Sequence, residues 1–293
     1  MSDSWTIKQL LEWTSEYFRK AELEEPLLCA QLLLAKVLKC NKVDLYLRFN
    51  QQIGKGERDE FRKLVKRAYQ KEPIAYILGE KEFFSLPIKV NNSVLIPRPE
   101  TELLVQWVVR KARESYMESS TIDILDIGTG SGCISIALAK NLPVESRIIA
   151  NDISSEAIKV ARENCVMHNV EDKIILTQSD LFENMEKGEK FDFIVSNPPY
   201  VTERDYNSLP EHIKQYEPKQ ALLAGIDGLD VINKLIEQSQ FYLKPKGWLV
   251  FEIGYNQKEA VETMMKEKQY ENVDFEKDAD NIPRIAIGQK CSH

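Results

Sequence analysis

Histidine is scarce in this chain of 293 residues. Only His168, His212 and His293 occur, at spacings that suit no metal site. Zinc chemistry and histidine-dependent nucleophile triads therefore lack material, and no metal is expected. Cysteine is also sparse: Cys29, Cys40, Cys133, Cys165 and Cys291 form no CxxC pair, and their odd number points to reduced thiols. Cys133 lies beside a glycine cluster but reads first as a small buried residue. No apolar run approaches the length of a membrane span. The stretch from Met1 to Trp13 lacks the basic and apolar blocks of a signal peptide, so a cytoplasmic location is expected. A surplus of basic charge is missing too. The formal net charge of −7 argues against a broad nucleic-acid footprint, though a local basic patch is compatible with it. What is present, 43% hydrophobic and 29% charged residues, suits a globular protein with one large domain or two smaller ones.

The most informative stretch runs from Phe191 to Tyr200, Phe-Asp-Phe-Ile-Val-Ser-Asn-Pro-Pro-Tyr. Phe191 to Val195 reads as a fully buried parallel strand. It stops at two prolines, which remove N–H donors and hold Asn197 and Pro198 extended. The result is a stiff rim at the carboxyl end of a strand, where open α/β sheets bind ligands. Asn197 and the Pro198 carbonyl are acceptors suited to the two N–H bonds of one planar –NH2 group, and Tyr200 could stack on its plane. None of these groups has a pKa suited to proton abstraction near neutrality. The set suits positioning a weakly nucleophilic nitrogen before an electrophile. The competing reading is a plain Pro-Pro loop in which Asn197 satisfies backbone groups.

Helical periodicity marks Trp5–Arg19, a segment from Pro26 to Leu38, a short piece at Val43–Leu47, and a fourth helix after Gly54 and Gly56 carrying Phe61, Leu64, Val65, Ala68 and Tyr69. Residues 1–72 are thus expected to form a small helical bundle. Within residues 73–99, Phe83–Val90 and Val94–Ile96 suggest a β-hairpin linker turning at Asn91-Asn92. Ile96-Pro97-Arg98-Pro99-Glu100-Thr101-Glu102 is a stiff elbow that opens a helix from Glu100 to about Arg113. It could join domains or cover a cleft.

From residue 100 to 293, strands and helices alternate. Strand Ile122–Ile127 runs into Gly128-Thr129-Gly130-Ser131-Gly132 and the apolar helix Cys133–Lys140. This turn is GxGxG, not the dinucleotide GxGxxG, and admits a ligand close to the backbone. A strand at Arg147–Ala150 ends in Asn151-Asp152. Asp152 lies about 20 residues past the glycine turn, the interval at which such folds place an acid on ribose hydroxyls; a helix N-terminal role beside the cap Ser154 is the alternative. A third strand, Lys173–Thr177, leads to Asp180-Leu181, which could grip an adenine edge and face. Val201–Leu223 is expected as a long irregular loop. Helix 230–243, strand Trp248–Ile253, helix 257–268 and two short strands near 273–275 and 284–287 complete a doubly wound sheet with a terminal antiparallel hairpin.

Taken together, these features resemble the class I S-adenosylmethionine-dependent methyltransferase fold, an α/β, Rossmann-like architecture. Asn-Pro-Pro-Tyr resembles the signature of methyl transfer to planar amino nitrogens, either nucleobase amines or the glutamine side-chain amide. The whole chain resembles the HemK/PrmC family of glutamine methyltransferases that modify peptide chain release factors. The matching segments are Glu72 to Gly79, Ile96 to Glu102, Asp126 to Gly132, Ser196 to Tyr200, Glu217-Pro218 with Asp227 to Asp230, and Glu252 to Gly254 with Gln257. The resemblance implies that Gly128, Thr129, Gly130, Ser131, Gly132, Asp152, Asp180, Leu181 and Asn197 bind S-adenosyl-L-methionine. It implies that Asn197, Pro198, Pro199 and Tyr200 hold the target glutamine of the Gly-Gly-Gln loop, with Asn197, Pro198 and Tyr200 carrying catalysis. The helical bundle would then recognise a class I release factor, and the chain would act as a monomer with no membrane or nucleic-acid partner. Leu181 stands where many members carry Trp or Phe, and Pro283-Arg284 where Asp-Arg is usual. Three other readings are a ribosomal-protein glutamine methyltransferase, a nucleic-acid amino methyltransferase, and a non-enzymatic sensor. The Ile-Pro-Arg-Pro-Glu-Thr-Glu elbow, the acidic balance and the intact Asn-Pro-Pro-Tyr set argue against each in turn.

Overall fold

The computed structural model describes residues 5–116, 121–186 and 188–292. Contacts divide the chain into two compact units at Glu80/Lys81. The first unit opens with β1 (Trp5–Thr6), which pairs antiparallel with β2 (Gln52–Ile53). Its helices are α1 (Ile7–Lys20), α2 (Pro26–Leu38), α3 (Lys42–Leu47), α4 (Lys55–Tyr69) and the short α5 (Ile74–Leu78). The first helix starts two residues later than periodicity suggests. Thr6 is its cap: the Thr6 hydroxyl accepts from Gln9 N while Gln9 Oε1 accepts from Thr6 N, so the orphan amides of the first turn are met at Ile7 rather than Trp5. Asn41 and Asp44 repeat the arrangement at α3. Ile7, Phe18, Ala30, Leu33, Leu34, Leu45 and Ala68 are fully buried and make this unit's own core.

In the second unit a hairpin joins β3 (Glu80–Phe83) and β4 (Leu86–Lys89). Its turn is at Phe84-Ser85, not at Asn91-Asn92, and Val94–Ile96 is not a strand. Phe84 and Ser85 both adopt positive φ, 51° and 60°, as a two-residue hairpin turn requires. A carboxylate distant in sequence supports them, with Glu102 Oε1 accepting from Phe84 N at 2.9 Å. The Asn91 side chain accepts from Ser93 N, an Asx turn that sends the chain onward without a partner strand.

The main sheet has seven strands in the order β10-β11-β9-β8-β5-β6-β7. Its parallel strands are β5 (Thr121–Ile127), β6 (Glu145–Asp152), β7 (Ile174–Gln178), β8 (Phe191–Ser196) and β9 (Leu243–Glu252). At one edge β10 (Tyr270–Lys277) and β11 (Pro283–Lys290) run antiparallel, with β11 between β10 and β9. The helices are α6 (Glu102–Ser115, after a 3-10 turn at Pro99–Thr101), α7 (Cys133–Asn141), α8 (Ser155–His168), α11 (Asp230–Tyr242) and α12 (Lys258–Glu267). Helix α7 packs on α6 and α8, and α11 packs on α12. Strand β8 is buried along its whole length, as its apolar run demands. Leu125, Ile127, Ile194, Leu249 and Phe251 join Ile232, Leu235, Ile236, Val261 and Met265 in one cluster.

Two further expectations are corrected. Strand β9 begins at Leu243, five residues before Trp248: Phe191 pairs with Leu243 and Phe193 with Trp248, so the ladder skips Pro245, which has no N–H to give. The segment 201–223 is not irregular. It holds α9 (Glu203–Ser208), capped by the Thr202 hydroxyl, α10 (Glu211–Tyr216), a 3-10 turn at Lys219–Ala221, and a parallel bridge between Val201 and Leu223.

Candidate active site

Four neighbouring parallel strands, β7, β6, β5 and β8, end along one rim, and each delivers a short polar segment there. The segments frame a cleft of about 250 Å3, bounded opposite by Ser93–Leu95, Pro97 and Thr101 of the elbow and by Pro218, Gln220 and Ala221. Of the residues singled out in the sequence, Gly128, Thr129, Gly130, Ser131, Asp152, Asp180, Leu181, Asn197, Pro198 and Pro199 line the cleft. Gly132 and Tyr200 are not among the lining residues.

The glycine turn is braced from three directions. Thr129 N donates to Asn151 O at 2.8 Å, Gly130 N to Asp152 Oδ2 at 2.9 Å, and Asn164 Nδ2 to Ser131 O at 2.8 Å. Gly130 has φ +55°, and a Cβ there would meet no protein atom within 4 Å. The backbone conformation asks for glycine at that point, and the surrounding space is left to a ligand. Asn164 was not singled out by the sequence. It is fully buried and also spans both backbone groups of Lys89, so one amide ties the hairpin to the glycine turn.

Asp152 takes up the backbone at the start of α8 and also lines the cleft. Its Oδ1 accepts from Ser154 N at 2.9 Å, while Ser154 itself caps α8 through Ala157 N. The carboxylate also faces the cleft, and each oxygen keeps a lone pair beyond its backbone amide. Burial raises its pKa against the pull of those two amides. Next to it, Leu181 lines the cleft and its carbonyl accepts from Asn151 Nδ2. Phe182 is buried and stacks on Tyr242 with ring centroids 5.0 Å apart, so any planar group in the cleft meets Leu181 rather than Phe182.

Asp126 opens the glycine motif, and nothing in the sequence assigns it a role. It is fully buried behind the glycine turn. Its Oδ2 accepts from the Thr129 and Ser135 hydroxyls at 2.7 and 2.6 Å, and its Oδ1 has no partner among the described residues. Burial pushes its carboxyl up to about 6.

The Asn-Pro-Pro-Tyr segment is held by residues far away in sequence. Asn197 Nδ2 donates to Thr101 Oγ1 at 3.0 Å, and the Thr101 hydroxyl donates to Glu252 Oε2. Tyr200 Oη donates to Glu252 Oε1 at 2.9 Å, and its ring packs on the sheet core. The Tyr200 hydroxyl is thus engaged by Glu252, a buried carboxylate that needs donors. Glu252 is 1% exposed, and burial raises its pKa. Gln257 Nε2 donates to the carbonyls of Tyr200 and Gly228, while its Oε1 accepts from Gly254 N, stitching three loops together. The elbow is fixed in turn by Glu217, which is buried and accepts from Arg98 Nη2 at 2.7 Å and from Ile96 N.

The cleft suits a nucleoside linked to an amino acid chain: a carboxylate for hydroxyl donors, an apolar wall for a base, and a glycine turn open to bulk. Among the described residues no group of acidic, histidine and cysteine side chains could hold a metal ion, and no helix is long and apolar enough to cross a membrane.

Residues 9–79 match the PrmC N-terminal domain family and residues 100–215 the methyltransferase small domain family. The release factor glutamine methyltransferase of Rhodopirellula baltica is 38% identical over 288 residues, covering 98% of this chain and 97% of its own length. That of Geobacter sulfurreducens is 36% identical over 285 residues, with 97% of each chain covered. Among solved structures, the hMettl16 catalytic domain in complex with an RNA hairpin has a TM-score of 0.58 at 17% identity, over 75% of this chain and 81% of that one. This last likeness is one of fold.

Proposed function

The chain is a member of the release factor glutamine methyltransferase family, and from that membership we propose how its cleft performs the reaction. The enzyme transfers a methyl group from S-adenosyl-L-methionine to the side-chain amide nitrogen of a release-factor glutamine. The observation that carries the reading is the meeting of the glycine turn, Asp152 and Asn197-Pro198 on one cleft. S-adenosylmethionine supplies an activated methyl carried on a sulfonium. Asp152 would accept hydrogen bonds from the ribose hydroxyls through the lone pairs its backbone amides leave free. Gly128 to Gly132 would hold the amino acid portion, and Asp180 and Leu181 would take the edge and face of the adenine.

An amide nitrogen is a poor nucleophile because its lone pair is delocalised, so the protein's task is orientation and charge relief. Asn197 Oδ1 and the Pro198 carbonyl each accept one N–H of the target amide. As the N–C bond formed and the S–C bond broke, the nitrogen would become positive and its N–H bonds more acidic, so both hydrogen bonds would strengthen in the transition state; the cofactor would leave as the neutral thioether, and one N–H proton would pass to water. Pro199 keeps the rim stiff, and Tyr200 holds it in place through Glu252. The target is the glutamine of a Gly-Gly-Gln loop in class I release factors, and the enzyme works in the cytoplasm as a monomer.

The first unit supplies recognition of the release factor. An exposed aromatic row supports this: Trp13 and Tyr69 stack on either side of Tyr17, with centroids 5.1 and 4.7 Å apart, and Trp5 meets Trp13 edge-on. Trp13 is 52% exposed, more than core packing explains. Incubation with methyl-labelled cofactor, a class I release factor, ribosomal protein and RNA in separate reactions tests the assignment. Label is expected on one glutamine amide of the release factor; label on the ribosomal protein or RNA alone would replace the substrate.

A further inference from the structure

An amide side chain catalyses as an acceptor only if its oxygen, not its nitrogen, faces the substrate. At Asn197 the two ends are nearly equal in shape, so something must choose between them. The hydrogen-bond chain Asn197–Thr101–Glu252–Tyr200 makes that choice by counting protons. Glu252 is an acceptor at both of its carboxylate oxygens. Glu252 Oε1 accepts a hydrogen bond from the Tyr200 hydroxyl and Oε2 one from the Thr101 hydroxyl. With its one O–H directed to Glu252, Thr101 Oγ1 can only accept from its other side. The end of Asn197 that meets it is Nδ2, at 3.0 Å. Oδ1 is thereby turned away from Thr101, and it takes no hydrogen bond among the described residues. Thr101 and Glu252 are 1% exposed each, so water does not compete for these positions.

We propose that Thr101, polarised by Glu252, is the positioning residue that fixes the amide of Asn197 with its oxygen toward the target nitrogen. Thr101 touches no reacting atom in this scheme; it acts through Asn197. The inference rests on the assignment of Asn197 as the acceptor for the target amide. It also explains why Tyr200 is directed at Glu252: its hydroxyl fills the second carboxylate oxygen, leaving the first to orient Thr101.

The test compares Thr101→Val, which keeps the shape and removes the hydroxyl, with Thr101→Ser, which keeps the hydroxyl and removes the methyl. Single-turnover methyl transfer to release factor is measured at saturating S-adenosylmethionine in the full-length enzyme, beside calorimetric cofactor affinity and thermal melting. Thr101→Val should slow transfer on the order of tenfold to a hundredfold, the effect of leaving a desolvated polar group without its partner. Cofactor affinity should stay within about threefold, and Thr101→Ser should recover most of the rate. If Thr101→Val does not fold, Thr101→Cys carries the same expectation, since a thiol is a weak acceptor. Transfer by Thr101→Val within about threefold of wild type would overturn the inference, as would Thr101→Ser being equally slow, or a loss of cofactor affinity matching the loss of rate. Asn197→Ala runs alongside. If it transfers methyl at the wild-type rate, the acceptor assignment fails; if it is slow while Thr101→Val is fast, only the orienting role fails.

Discussion

At Asp152 one carboxylate has two duties, holding the glycine turn through Gly130 N and offering lone pairs to a ligand. Charge-assisted hydrogen bonds contribute roughly 1.5–3 kcal/mol each. Asp152→Ala should therefore weaken S-adenosylmethionine binding by about tenfold or more, since 1.4 kcal/mol is one decade. Calorimetric titration measures it, and unchanged affinity would remove Asp152 from the cofactor site. Asp126 makes a different prediction. Its carboxyl is pushed up to about 6 by burial, with the Ser135 and Thr129 hydroxyls pulling it partway back. A folded state that binds the proton more tightly than the unfolded chain gains stability that is full below about pH 4 and lost as pH rises toward 6. The span corresponds to about 3 kcal/mol. Asp126→Asn stays neutral, so its stability relative to wild type should climb between about pH 4 and 6 and level off above that range. Urea midpoints of both proteins across that range decide it: a difference independent of pH would mean that Asp126 has no elevated pKa. The Asp126 effect could not be read from the sequence, where Asp126 is one acid among 46 acidic residues and nothing marks it as buried.

Loops share with regular elements the work of holding the catalytic rim in place. Gly228 illustrates this. It has φ +75°, and a Cβ there would lie 2.3 Å from the Tyr200 carbonyl oxygen and 2.9 Å from Gln257 Nε2. Gly228→Ala must push the end of the Asn-Pro-Pro-Tyr segment outward and adds about 1–2 kcal/mol of left-handed backbone strain. Transfer rate should fall by on the order of tenfold or more while cofactor affinity holds, because the glycine turn lies on other strands. Steady-state kcat, with cofactor Kd from calorimetry, tests this; a parallel loss of both would show that the strain spreads through the sheet. The elements differ in how far local sequence foretells them. Strand β8 and helix α8 follow from an apolar run and a Ser154 cap, both local signals. The hairpin turn does not, because Phe84 and Ser85 have no intrinsic preference for positive φ and are held by Glu102 across 18 residues of chain. Strand β9 likewise starts before Pro245 because pairing with Phe191 outweighs the proline's break.

On the scale of the whole molecule, each compact unit has its own core, one built on α1, α2, α3 and α4, the other on the seven-stranded sheet. A fragment beginning at Lys81 should therefore still bind S-adenosylmethionine. It should lose most activity on intact release factor, because specific protein recognition needs roughly 800 Å2 per partner, more than one extended glutamine loop offers. Unchanged kcat/KM for the fragment would make the first unit structural only. Sequence by itself determined the alternation of strands and helices, the helical amino-terminal unit, the glycine turn, Asp152 and the Asn-Pro-Pro-Tyr rim, and its likeness to a family identified the chemistry. These are properties of periodicity and of short contiguous motifs, which survive without knowledge of what lies opposite. Tertiary structure alone decided that Asp152 braces Gly130, that Asn164 joins hairpin to glycine turn, that Glu217 pins the elbow, and that Thr101 and Glu252 orient Asn197 and Tyr200. Most of those partners are tens of residues or more apart along the chain, from 22 between Gly130 and Asp152 to 151 between Thr101 and Glu252. A buried polar group must find its donor or acceptor wherever folding brings one, and that location is a property of strand order, not of neighbouring residues.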